Sequence, residues 1–297
     1  MLVGTAEYSA GPTGVTVVAI PAGARLAIDA RGGAIGMSNG FQYFAHAICL
    51  AGGSIYGLGA GSGVADALRQ RIGNRVSVDD LQLVSTAVIY DFSSRANAVA
   101  PDAALGRAAF EAAVHGRVPI GRCGAGRSAS AGKVDWSRCE FTGQGAAFRE
   151  VGQVKVLVIT VVNPVGVIVD RNGSIVRGNY DVATGERRAP DRDYADALSG
   201  DFPAQTGKGN TTLTVVVTNV RLTDKELIHF GRQVHSSMNR GIQPFHTTHD
   251  GDTLFALTTD EVDLPGSSAI GDNSVNAIAV GTIAAEAAWD AVLESAR

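Results

Sequence analysis

Two stretches of this chain carry residue types that can do covalent chemistry. The first is Gly209-Asn210-Thr211-Thr212, where a polar segment ends abruptly against the β-branched run Leu213–Val220. A hydroxyl held there can attack the preceding carbonyl and form an ester that water then opens. The freed Thr211 would carry both a nucleophilic hydroxyl and an α-amine of reference pKa about 8. That amine can act as the hydroxyl's own base, the N-terminal-threonine form of nucleophile activation. Taken alone, Asn-Thr is more commonly an ordinary loop-to-strand junction. The second stretch is His246-Thr247-Thr248-His249-Asp250-Gly251-Asp252, which has metal-ligand residue types. On a strand, side chains at i and i+3 point to opposite faces; in a loop the geometry is open. Asp-Gly is also turn chemistry, and a turn can present carboxylates to a site.

Other candidates read as structure when taken singly. Gly126 to Lys133 ends in Gly-Lys, but the spacing is one residue too long for a phosphate loop, and Val134 stands where Ser or Thr is needed. Lys133 is then a solvated loop lysine. Asn163 before Pro164 and Tyr90-Asp91 each close an apolar run and could simply terminate strands.

These residues need a scaffold. With 45% hydrophobic and 18% charged residues and a mean hydropathy of +0.10, a sizeable core is expected and disorder is not. A net charge of -4 argues against nucleic acid. The most apolar stretch, Val154 to Val169, is interrupted by Lys155, Asn163 and Pro164 and is too short to span a bilayer. Nothing at the start resembles a signal peptide, and three cysteines without CxxC spacing argue against a disulfide framework or zinc site, so a cytoplasmic protein is expected.

Strands are expected at Val15–Ile20 and Arg25–Ala30, joined as a hairpin by Pro21-Ala22-Gly23, and at Val154–Val162, Leu213–Val220 and Leu254–Thr258. A second hairpin joins Val165–Val169 to Ser174–Val176 through Asn172-Gly173. Helices are expected at Phe41–Leu50, Val64–Ile72 and Ala103–His115, after a capping box at Thr223 and Glu226, and from Thr282 to about Ser295. Residues 177–209 are polar, with almost no apolar periodicity, and read as a structureless linker. Mixed strands and helices favour a layered α/β fold.

The segment Gly209-Asn210-Thr211-Thr212-Leu213-Thr214-Val215-Val216-Val217-Thr218-Asn219 resembles the processing site of the endo-type 6-aminohexanoate-oligomer (nylon-oligomer) hydrolases, which belong with the DmpA-type aminopeptidases. Asp29-Ala30-Arg31-Gly32-Gly33-Ala34 and Ala47 to Leu58 resemble the family's glycine-rich signatures, and His249-Asp250-Gly251-Asp252-Thr253 its acidic segment. The resemblance runs from about Val3 to the C-terminus.

It implies a single domain with the layered αββα sandwich of the DmpA/ornithine-acetyltransferase-like N-terminal-nucleophile type. The chain would cleave itself between Asn210 and Thr211 into an α subunit, 1–210, and a β subunit, 211–297, whose heterodimers assemble to a tetramer of heterodimers. Thr211 is then the nucleophile and Lys133 a cation near its hydroxyl. Asn163 becomes an oxyanion donor and Tyr90 a pocket-lining residue. Asp250 and Asp252 are the acidic pair behind the nucleophile, and they favour the nylon-oligomer branch. No cofactor or metal is required. Asp29-Ala30-Arg31 and Gly36-Met37-Ser38-Asn39-Gly40 depart from the aminopeptidases, which touches substrate preference and not the nucleophile.

Three alternatives accompany this reading: an aminopeptidase releasing N-terminal residues, including β-amino acids; a metal-dependent hydrolase built on His246, His249, Asp250 and Asp252; and a non-catalytic assembly protein.

Overall fold

The computed structural model describes residues 1–38, 43–201, 209–264, 269–270 and 273–297. In chain order its main elements are β1 (Leu2–Tyr8), β2 (Thr13–Ala30), β3 (Phe44–Ala51), α1 (Gly59–Arg71), β4 (Val84–Val88), α2 (Ala103–Glu111), β5 (Gln144–Val151), β6 (Val154–Asn163), α3 (Pro190–Leu198), β7 (Thr211–Val220), α4 (Asp224–Ser237), β8 (Thr253–Val262) and α5 (Val275–Glu294).

The main strands hydrogen-bond in the order β4-β3-β2-β8-β7-β6-β5, with β1 also on β2. One strand makes this ladder serve as two sheets. The first half of β2 pairs with β1 and β3, its register shifts between Ala19 and Ala24, and its second half pairs with β8. Pro21-Ala22-Gly23 is therefore a bulge within a continuous strand and not the turn of a hairpin. Proline lacks the N–H a ladder needs, and Gly23, at φ 77, takes a conformation other residues resist.

Alternation along the strands sorts the apolar side chains into three layers. Val15, Val17 and Ala19 of β2 and Ala47, Cys49 and Ala51 of β3 face α1 and α2. Val18, Ile48 and Leu50 face inward, against Ile159, Val161, Leu213, Val215, Phe255 and Leu257 of the other sheet. The opposite faces of β6, β7 and β8, with Val158, Val216, Leu254 and Ala256, pack on α4 and α5. Helix layer, sheet, sheet and helix layer make an αββα sandwich, as expected.

Several local expectations need correction. Phe41–Leu50 reads as a helix, but Phe44–Ala51 is a strand; both of its faces are buried, and a short apolar run of that kind has no periodicity to separate it from helix. Residues 39–42 of the two sequence stretches that include them lie outside the described residues. Helix α2 stops at Glu111, short of His115, because Val114 exchanges backbone hydrogen bonds with Val3. Helix α5 begins at Val275, ahead of Thr282. The linker expectation for 177–209 fails in its first part. Tyr180–Asp181 and Glu186–Arg187 pair as a small hairpin, and α3 follows. Ion pairs organise this stretch in place of apolar periodicity: Arg177 and Arg187 meet Glu140, and Arg138 and Arg188 meet Asp193. Residues 202–208 of the linker lie outside the described residues.

The Asn172-Gly173 hairpin and the Thr223–Glu226 capping box match expectation, and Gly73, at φ 72, caps α1.

Candidate active site

Thr211 is the first residue of β7, a strand buried along its whole length. On one side it pairs with Asn163, the last residue of β6; on the other β7 runs parallel to β8, whose preceding loop carries Asp250 and Asp252. The Asn210–Thr211 peptide is intact, so the geometry is that of the uncleaved chain. The Thr211 hydroxyl donates to the Asn210 carbonyl oxygen, and the Gly251 N–H donates to the same oxygen at 2.8 Å. The hydroxyl thus lies against the carbonyl it would attack, and a backbone donor already polarises that carbonyl. Gly251 has no substitute here: a Cβ would sit 2.7 Å from Thr211 Oγ1 and 2.6 Å from the Ala34 carbonyl oxygen.

Lys133, a loop lysine by sequence, is buried. Its Nζ donates to the Asn163 carbonyl at 3.0 Å and to Asn163 Oδ1 at 2.8 Å, one cross-strand position from Thr211. Burial pushes its pKa down to about 7, against the opposing pull of Asp250, Cys139, Asp91 and Asp252. A neutral amine is therefore accessible near neutral pH. Asn163 is the hub of this side. Its Oδ1 accepts from Lys133 and from the Ser130 N–H at 3.1 Å, and its Nδ2 donates to the Tyr90 carbonyl at 3.0 Å. Tyr90 lies with its ring against Gly209, the residue before Asn210.

The two aspartates do different work. Asp250 accepts from the Val165 N–H at 3.3 Å, the Thr247 N–H at 3.1 Å and the Thr247 hydroxyl at 2.5 Å. Burial and, after it, the charge of Asp252 push its pKa up to about 6. Asp252 holds the Thr212 N–H at 2.7 Å through one oxygen and the His246 N–H and Nδ1, both at 3.0 Å, through the other. It fixes the backbone just after Thr211. Gly32 and Gly33 let the loop after β2 lie on the Asp250–Asp252 turn, where any Cβ would meet backbone within about 2.5 Å.

Sequence reasoning missed two participants, the Gly251 N–H and His235, and offered His246 only as a metal ligand. The Gly251 N–H leaves no trace in residue type, although the glycine between two aspartates marks the place. His246 and the buried His235 stand with rings 4.3 Å apart, and His235 Nδ1 meets Asp29 at 3.0 Å. Each imidazole is thus tied at Nδ1 to its own aspartate. Among the described residues no group of three or more His, Cys, Asp or Glu is placed to hold a metal ion.

Among the described residues, the buried side-chain polar atoms without a hydrogen-bond partner belong to Asn179, Asn210, Thr212, His235 and His246. All but Asn179 lie at the Asn210–Thr211 bond or directly behind it. Such unsatisfied groups are costly in a core and concentrate where chemistry needs them.

The whole chain, residues 1–297, matches Peptidase family S58. The chain belongs to that family. It is 62% identical, over 99% of its length and 83% of the relative's, to the 6-aminohexanoate-oligomer endohydrolases of Paenarthrobacter ureafaciens and of Kocuria sp. strain KY2. It is 33% identical to an uncharacterized aminopeptidase of Mycobacterium tuberculosis, over 94% of this chain and 84% of that one. Among solved structures, the β-aminopeptidase of Burkholderia sp. superposes with a TM-score of 0.67 at 18% identity, covering 99% of this chain and 83% of that one. The L-aminopeptidase D-Ala-esterase/amidase of Ochrobactrum anthropi, described as a variant of the N-terminal-nucleophile hydrolase fold, superposes at 0.66 with 17% identity, covering 99% and 82%. The S58 chain is thus an amide-bond hydrolase on an N-terminal-nucleophile fold. No helix among its described residues is long and apolar enough to cross a membrane.

Proposed function

We propose that this S58 chain cleaves itself between Asn210 and Thr211 and then hydrolyses linear amides, such as 6-aminohexanoate oligomers, through a Thr211 acyl-enzyme. The observation that carries the reading is the Thr211 hydroxyl lying on an Asn210 carbonyl whose oxygen is held by the Gly251 N–H. In self-cleavage Thr211 Oγ1 adds to the Asn210 carbonyl carbon, the C–N bond breaks as its nitrogen is protonated, and water hydrolyses the resulting ester. Thr211 has no free amine at that stage, so another base must take the hydroxyl proton. Lys133, with a pKa brought to about 7, suits that task.

In turnover the new α-amine accepts the hydroxyl proton and returns it to the leaving amine, and water releases the acyl group. Asn163 commits one Nδ2 hydrogen to Tyr90 and has its second to offer an oxyanion. Asp250 is the carboxylate for the new ammonium, and Asp252 holds the backbone behind it. The reading needs no cofactor or metal.

The substrate follows from the two endohydrolase relatives at 62% identity. A second reading, an aminopeptidase, has support from the mycobacterial relative. Product analysis separates them: internal cuts in an oligomer favour the endohydrolase, and single N-terminal residues favour the aminopeptidase. The processed 1–210 and 211–297 fragments remain together as an αβ heterodimer, since β7 pairs with β6 and β8 with β2, and the heterodimers assemble to a tetramer of heterodimers. Three unpaired cysteines suit a reducing cytoplasm.

Intact mass of the purified protein beside Thr211→Ala tests the proposal. Fragments of roughly 22 and 9 kDa by chain length, the smaller beginning at Thr211, with the variant uncut and inactive, are expected. An uncut chain that still hydrolyses amides overturns it.

A further inference from the structure

The uncleaved chain carries its own acyl group in place, and the walls around that group are unequal. The carbonyl of Asn210 is held by Gly251, yet the buried Asn210 side chain has no hydrogen-bond partner for Nδ2 or Oδ1. One residue back, a Cβ on Gly209 would come within 2.2 Å of Tyr90 Cγ and 2.3 Å of its Cδ1, an impossible approach. The Tyr90 ring is itself backed by Phe92, edge-on at 5.4 Å, so it cannot simply move off in that direction. Phe92 also meets Tyr56, which is exposed to solvent, at 6.2 Å, so an aromatic row leads from the cut to the surface. The slot therefore grips its occupant at the carbonyl and flanks it with an aromatic ring where the self-substrate has no side chain.

From the carbonyl carbon that Thr211 attacks, the backbone runs back through Asn210 Cα, Asn210 N, Gly209 C, Gly209 Cα and Gly209 N. A six-carbon ω-amino acyl group lays its carbons on those same positions in turn. Its second carbon falls on Asn210 Cα and its fifth on Gly209 Cα. Resting on the Thr211 reading above, we propose that Tyr90 is a specificity-determining residue that makes the acyl slot selective for unbranched polymethylene chains. A substituent on the second carbon takes the place of the Asn210 side chain and is accepted; one on the fifth carbon, in the configuration of an L side chain at Gly209, meets the Tyr90 ring and is excluded.

The test uses the mature enzyme and two anilides of the 6-aminohexanoate dimer, one carrying a methyl on the fifth carbon of the unit next to the anilide, as the single enantiomer that matches an L side chain at Gly209. Wild type should cleave the unsubstituted anilide roughly 10- to 100-fold faster in kcat/KM, the range that a forced steric overlap produces. Tyr90→Ala should bring the two toward parity, and Tyr90→Phe, which keeps the ring, should keep the preference. The precursor gives a second measurement that needs no added substrate. Gly209→Ala should slow self-cleavage, and adding Tyr90→Ala should recover part of the loss; the remainder reflects the strain of alanine at the φ of 78 found at Gly209. Equal cleavage of both anilides by wild type, a preference unchanged in Tyr90→Ala, or undiminished self-cleavage of Gly209→Ala each overturns the proposal. Absence of any Thr211-dependent anilide cleavage removes the nucleophile reading, and the slot with it.

Discussion

Two buried charged clusters flank Tyr90, and they are built in opposite ways. In one, Asp91 faces Arg95, with side chains 1% and 0% exposed. Its carboxylate also accepts from the Thr13 hydroxyl at 3.0 Å and the Gly53 N–H at 2.9 Å, so the pair is closed and saturated. In the other, Lys133 is equally buried, but its hydrogen bonds go to a carbonyl and a side-chain amide oxygen. Asp250, of the same cluster, spends its bonds on Val165 and Thr247. A charge matched by its opposite in direct contact is structural. One buried among neutral hydrogen-bond partners keeps a movable proton, and Lys133 and Asp250 are accordingly drawn toward neutrality, to about 7 and about 6.

The largest break in that comparison is Thr211→Ala, which should leave the chain whole and inactive by mass and by amide assay. Next comes Lys133→Met, expected to slow self-cleavage roughly 100- to 10,000-fold, the usual contribution of a general base. Its stability effect should have the opposite sign. Burial lowers the folded-state pKa from 10.5 to about 7, so the cost of the buried charge is full below pH 7 and fades as pH rises toward 10.5. Urea unfolding should therefore find Lys133→Met more stable than wild type at pH 6, with the gap closing by pH 10. The wild-type self-cleavage rate should rise tenfold per pH unit below about 7 and flatten above it, as a neutral lysine base requires. A rate independent of pH across that range would remove Lys133 from the role.

The saturated cluster should respond the other way. Arg95→Met strands the Asp91 carboxylate and should cost about 3–5 kcal/mol in denaturant unfolding, the usual result of breaking a buried pair. Changing Asp91→Asn in the same chain should recover part of it. Smallest is Thr223→Ala, which removes the capping box of α4 far from either cluster. It should cost about 1 kcal/mol and leave the self-cleavage rate unchanged.

Against these clusters the legibility of the sequence can be judged residue by residue. The head of β7 was readable because a β-branched run beginning directly after polar residues has one plausible structure, and the resemblance then named Thr211. Asn163, Tyr90, Asp250 and Asp252 were named in the same way, and the fold brings them together around the Asn210–Thr211 bond. By its own chemistry Lys133 reads as a solvated lysine, because nothing in its neighbours along the chain predicts that Asn163 and Val165, at and just after the end of β6, will meet it in the core. The His246–Asp252 stretch suggested a metal; the fold instead spends Asp252 on a backbone N–H and turns His246 toward His235.

What the sequence determined by itself is local: the strands with one rotational choice, the caps and turns set by glycine, proline and side-chain oxygens, and the residue types able to attack an amide. Tertiary structure decided the rest. It made β2 a single strand shared by two sheets, turned Phe44–Ala51 from helix to strand, and folded the polar stretch after Arg177 through ion pairs to residues far along the chain. It also set the Gly251 N–H on the carbonyl of Asn210 and drove Lys133 toward neutrality. The physical reason is common to all of these. Hydrogen-bond direction and desolvation depend on which segments meet, and neither is a property of any one segment.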